Sequence, residues 1–147
     1  MVAKDIRKTS NNKLIGIIRI ALGISFIITG VMKLFIPMFT EAWLGQLIQA
    51  GIPFVTLIFF LVPSLEIILG LLLLKGFFTR FFILIVFPIM LITIYIHFAV
   101  DDAGLYLIQP RFPIVPIILI VLAIISLRYG AGSWSDDLRW SKKKQNT

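Results

Sequence analysis

The sequence predicts an all-α integral membrane protein, a four-helix bundle with both termini in the cytoplasm. Three observations lead there. Of the 147 residues, 59% are hydrophobic and the mean hydropathy is +1.02, outside the usual range of soluble domains. Four apolar runs approach the about 20 residues that a spanning helix needs. The formal charge of +7 is concentrated in the flanks of those runs, which reads as a topology determinant rather than a nucleic-acid surface. The length allows a single domain, 1–147. With no cysteine, disulfides, iron–sulfur clusters and thiolate zinc sites are excluded. With one histidine, two histidines of one chain cannot clamp a haem or metal.

The first helix is expected over about 14–36, after a basic tail, 1–13. That start resembles the basic region of a signal peptide, but the apolar run is too long and has no small-residue cleavage site, so it reads as a retained helix. The second helix is expected over about 53–74. Between Pro53 and Leu74 its 22 residues contain one ionisable side chain, Glu66. The third is expected over about 77–100, and the fourth over about 112–129. The uninterrupted apolar part of the fourth, Phe112–Leu127, has only 16 residues. It either recruits Leu105–Ile108 through a break at Pro110 and Pro113 or lies tilted against its neighbours. Pro88, Pro63 and Pro116 are candidate kinks. The tail, 130–147, holds "GSWSDD", a start for a short interfacial helix with Trp134 and Trp140 at headgroup level.

Orientation follows from the basic residues. Lys4, Arg7, Lys8 and Lys13 precede the first helix, Lys75 and Arg80 sit in the turn between the second and third, and Arg128, Arg139, Lys142, Lys143 and Lys144 follow the fourth. With four spans all of these fall on one side, predicted to be the cytoplasm, which makes the chain a multi-pass protein of the inner (cytoplasmic) membrane. The run "SKKK" also suits anionic lipid headgroups.

Polar residues inside the apolar runs are the candidate sites. Arg19, Gly23, Phe26, Gly30 and Lys33 are spaced 4, 3, 4 and 3 and draw one stripe. Phe59, Pro63, Glu66 and Gly70 draw another on the second helix, and Met90, Thr93 and His97 a third, continued past the helix end by Asp101. Small residues mark close approach in lipid, so the first two stripes are expected to face protein. Arg19 lies about 9 Å and Glu66 about 13 Å from the basic side by helix rise, so the two are expected to pair, offsetting a cost of roughly 2.5–3.5 kcal/mol per mid-membrane charge. Such a pair either only fixes packing or presents Glu66 as a proton-accepting or ligand-contacting carboxylate. Lys33 and His97 lie about 30 Å and 26 Å from the basic side, so Lys33, His97 and Asp101 are expected together near the opposite face. There Lys33 either snorkels or binds, and His97 is either a hydrogen-bonded interface residue or a contact for a headgroup or quinone ring.

The stretches "RIALGISFIITGVMKLF", "LIQAGIPFVTLIFFLVPSLEIILGLLLLKGFFTRFFIL", "MLITIYIHF" and "LRYGAGSWSDD" resemble, in this order, the DoxX family of small four-helix membrane proteins. They are similar to its arginine-led first helix with G-x-x-K-L, its G-x-P, its E-x-x-x-G, its G-x-x-T-R turn and its terminal glycine–serine–aspartate, over about residues 15–137. The stretch "DDAGLYLIQPRFPIVP" departs from that pattern. The resemblance implies that Arg19, Lys33, Glu66, Thr79 and Arg80 matter. It also implies an accessory or quinone-contacting subunit of a membrane oxidoreductase, such as thiosulfate:quinone oxidoreductase. The alternatives are an assembly or structural partner without chemistry, or a small-solute or proton carrier. Expected partners are the bilayer and other membrane subunits or a second copy. No cofactor is expected to be held covalently or by metal ligands, and a quinone is one candidate ligand.

Overall fold

A backbone in lipid has no water to satisfy its N–H and C=O groups, so an apolar run closes its hydrogen bonds on itself as a helix. A computed structural model describes residues 7, 9–108 and 111–145, and among these there are helices and no strand. Three helices are long and apolar enough to cross a membrane: α1 (Lys13–Phe35), α3 (Val55–Lys75) and α4 (Thr79–Ala99). Between the first two lies α2 (Pro37–Gln49), and after α4 come a single 3-10 turn (Ala103–Leu105), α5 (Ile114–Tyr129) and α6 (Asp136–Gln145). Lys4, Lys8, Pro110 and the side chain of Lys144 lie outside the described residues.

Local chemistry sets the ends of these helices. Asn12 caps α1, its side chain accepting from the Leu14 N–H at 2.8 Å. Pro37 stops α1 because the residue before a proline is pushed out of the helical region; Ile36 is extended, and Pro37 then opens α2 at its first turn. Gly76, at φ 65°, ends α3. The start of α4 takes its cap from far along the chain. Both carboxylate oxygens of Asp137 accept, one from the Phe78 N–H and one from the Thr79 N–H, each at 3.0 Å, which places a negative charge on a helix N-terminus.

Two expectations change here. The sequence reading places no element over 37–49, yet α2 forms there, burying Ala42, Trp43, Gln46 and Leu47. The fourth apolar run does not recruit Leu105–Ile108: α5 starts at Ile114, and its 16 residues rise about 24 Å, short of the about 30 Å hydrocarbon layer. Pro116 sits in its first turn, where a missing N–H costs nothing. The helix expected from "WSDD" is present as α6.

The small-residue stripes bring α1 and α3 together. A Cβ added at Gly70 would lie 2.6 Å from the Gly23 carbonyl oxygen, and one at Gly30 would lie 2.7 Å from that of Pro63. Leu22, Phe26, Leu69, Leu73, Ile83, Val86 and Ile96 fill the interior, and α5 packs chiefly on α4 and α1. The outer surface is apolar, with Ile28, Leu57, Phe60, Ile68, Leu84 and Leu91 exposed, as suits a lipid-facing wall. One end of the bundle gathers the start of α1, the α3–α4 turn and the tail. Arg7 pairs with Asp137 at 2.9 Å, Arg80 donates to the Arg128 carbonyl at 3.0 Å, and the Ser10 N–H reaches the Tyr129 carbonyl.

Candidate functional site

Arg19 and Glu66 are both buried, at 0% and 1% exposure, but the expected pair between them does not form. Gly23 and Gly70 stand level. Arg19 is four residues before Gly23, and Glu66 four before Gly70. On antiparallel helices these steps run in opposite directions, so the two residues stand about 12 Å apart along the bundle. Side chains also lean toward their own helix N-terminus, which carries Arg19 toward the basic end and Glu66 toward the other. Matching depths from flanking lysines missed both effects.

Among the described residues, the hydrogen-bond partners of Arg19 are instead all carbonyls. Its Nε donates to Ala131 O at 2.7 Å. Its Nη1 donates to Leu73 O and, at 2.6 Å, to Leu74 O. Its Nη2 donates to Ser133 O at 3.3 Å and Trp134 O at 3.1 Å. A guanidinium has five N–H donors, and all are used. Two of the acceptors belong to the last turn of α3, where unpaired carbonyls and the helix dipole favour a cation. Arg19 therefore joins α1, the end of α3 and the 131–134 segment.

Glu66 pairs with Lys33. Nζ donates to Oε1 at 2.7 Å, with the carboxylate buried and the ammonium partly exposed. Lys33 leans back along α1 toward Glu66, as side-chain direction requires. Glu66 Oε2 is buried and has no hydrogen-bond partner among the described residues. The ammonium also lies 4.5 Å from the centre of the Trp43 ring, a cation–π contact. Trp43 is fixed in turn by Pro63. A proline in a helix leaves the carbonyl four residues earlier without its donor; here that is Phe59 O, and Trp43 Nε1 donates to it at 3.2 Å.

Lys33 and Trp43 line a cavity of about 200 Å³ together with Ile28, Met32, Phe39, Gln46, Tyr106 and Val115. Ile28 and Ile108, also in the lining, are exposed on the outer surface, so the cavity opens sideways. Gln46 is held by its amide donating to Leu105 O at 2.6 Å. Tyr106 donates to Ile96 O at 3.3 Å, and burial pushes its hydroxyl pKa up, which keeps it a donor.

His97 is buried at 2% exposure, as is Met90 at 3% on the same stripe of α4. Its ring centre is 4.8 Å from that of Tyr106, which places Tyr106 between His97 and the cavity that Lys33 lines. Asp101 is apart from this group: its exposed carboxylate pairs with Arg111. Thr79 and Arg80 lie at the basic end, where the Thr79 N–H is capped by Asp137. The sequence reading missed Trp43, Gln46 and Tyr106. The signal for Trp43 was present, since Pro63 marks Phe59 as a carbonyl in need of a donor and "PMFTEAWLGQLIQ" has a helical pattern behind its proline.

No curated protein and no solved structure matches the chain. The DoxX family model matches residues 14–99, more than half of the 147 and the whole of α1 after its first residue through α4. The first-helix stripe, the Glu66 stripe and the turn before α4 all fall within that match, and the chain belongs to the DoxX family.

Proposed function

We propose that the chain is a multi-pass inner-membrane subunit whose side-opening cavity receives the ring of a quinone, as the quinone-contacting part of an oxidoreductase complex. Lys33 carries this reading. Its ammonium has three N–H donors. One is committed to Glu66 and one direction to the Trp43 face, which leaves a donor for a ring carbonyl at the cavity wall. Glu66 offsets the cost of placing that ammonium in an apolar setting. Phe39 and Trp43 supply aromatic walls. The volume is below the about 300–1,000 Å³ of drug-sized sites, so it suits one ring with its tail outside, and the opening beside Ile28 and Ile108 leads the tail to lipid.

A bound quinone would supply the redox chemistry, and this chain would bind and orient the ring. Electrons would come from a partner subunit, which is why an accessory role fits better than an independent enzyme. In the same reading the basic end faces the cytoplasm, and α5, packed on α4 and α1 with the bilayer locally thinned around it, completes a fourth crossing.

The test uses Trp43 fluorescence in a Trp134→Phe, Trp140→Phe background in lipid nanodiscs, titrated with a short-chain quinone. Saturable quenching lost in Lys33→Met is the expected result. Absence of saturable quenching, or quenching unaffected by Lys33→Met, would overturn the reading. A protein without quinone that still co-purifies with other membrane subunits in fixed ratio would restore the purely structural alternative.

A further inference from the structure

A second pocket, of about 250 Å³, lies between the last turn of α4 and the start of α5, lined by His97, Phe98, Arg111, Phe112 and Pro113. His97 Nδ1 is 2.9 Å from Thr93 O. A carbonyl only accepts, so Nδ1 carries the proton, and Nε2 of the neutral ring is an acceptor. That Nε2 is buried and has no hydrogen-bond partner among the described residues, in a side chain 2% exposed. His97 lines the pocket, and a buried acceptor left unpaired is destabilising, so a ligand that brings an N–H or O–H donor to this ring would relieve it.

Arg111 sets the second requirement. It is half-exposed, and one of its terminal nitrogens pairs with Asp101, which leaves further N–H groups of the fork for an anion. A phosphate is the group that such a fork recognises well. The Asp101 carboxylate adds a third requirement, since it favours a cation beside the phosphate and disfavours added negative charge. Phe98 and Phe112 are exposed and meet edge to face at 6.4 Å, an apolar flank for an acyl chain.

We infer that this pocket seats the headgroup of phosphatidylethanolamine, with the phosphodiester on Arg111 and the ammonium donating to His97 Nε2 and Asp101. The ethanolamine ammonium sits two carbons beyond the phosphate ester oxygen, and it has N–H donors that choline lacks. This site is separate from the cavity beside Lys33, and it stands whether or not that cavity takes a quinone.

Native mass spectrometry of the protein released from nanodiscs of equal phosphatidylethanolamine, phosphatidylglycerol and phosphatidylcholine tests this. The wild type is expected to retain the ethanolamine lipid about tenfold over the choline lipid, the scale of one buried hydrogen bond. His97→Leu should bring that ratio close to one, and Arg111→Gln should lower retention of both lipids while keeping their ratio. Soluble phosphoethanolamine should not displace the lipid. Equal retention of ethanolamine and choline lipids in the wild type overturns the proposal, without reliance on any variant. So does a preference that survives His97→Leu, phosphatidylglycerol retained as well as phosphatidylethanolamine, or displacement by soluble phosphoethanolamine, which would assign the pocket to a free phosphate ester.

Discussion

The indole N–H of Trp43 donates to the carbonyl of Phe59, the acceptor that Pro63 releases by having no N–H of its own. One imperfection in α3 thus becomes the docking point for α2. Trp43→Phe should cost roughly 1 kcal/mol through this bond. In a Pro63→Ala background residue 63 regains its N–H, the Phe59 carbonyl is satisfied within α3, and the same change should cost less. A double-mutant cycle by unfolding in detergent should give coupling of about 1 kcal/mol; strictly additive effects would show that the two features are unrelated.

Lys33→Leu leaves the Glu66 charge buried without its cation. Breaking such a pair costs about 3–5 kcal/mol, whereas replacing both members by apolar groups is often near neutral. The Lys33→Leu, Glu66→Leu double variant is therefore expected to recover most of the lost stability. The cycle between Arg19 and Glu66 is expected to show none of this coupling, because the two residues serve opposite ends of α1 and α3. Thermal unfolding in detergent reads both cycles.

Arg19→Lys is expected to behave as a severe variant. An ammonium has three donors at one point, whereas Arg19 spreads five over acceptors from two separate parts of the chain. With charged hydrogen bonds worth about 1.5–3 kcal/mol each, the loss should be at least about 2 kcal/mol, and Arg19→Leu should lose more. Equal midpoints for wild type and Arg19→Lys in chemical unfolding would contradict the five-carbonyl arrangement.

Single cysteines at positions 41, 102 and 142 report topology cleanly, because the chain has none of its own. An impermeant thiol reagent on whole cells should label 41 and 102 and spare 142. Labelling of 142 would reverse the orientation, and protection of 102 would mean that α4 does not end on the outer side.

The membrane-compatible helices were legible because hydropathy and length act over about 20 residues and survive any packing detail. The inward stripes on α1 and α3 were legible for a similar reason: Gly23, Gly30 and Gly70 announce close contact wherever the helices run. Partner choice was not. Arg19 and Glu66 differ in depth by only a few residues when counted from flanking lysines, yet the register is decided by which glycines interlock, and side-chain lean then widens the separation. The acceptors of Arg19 were hidden further, since carbonyls carry no signature in a sequence. Helix α2 was missed because its 13 residues fall below the length at which apolar content identifies a span, so its proline start and its Trp43–Leu47 face had to be read on a shorter scale.

The cage around Arg19 also has a bearing on the order in which the protein is made. Arg19 leaves the ribosome early, but three of its acceptors, on Ala131, Ser133 and Trp134, are translated more than 110 residues later. Until then the guanidinium has no finished binding site, and α1 enters the bilayer carrying a cation that the end of α3 satisfies in part and only the tail completes. The nascent chain therefore has a built-in delay: α1 and α3 can meet through their glycines, but the basic end locks only when the last segment arrives.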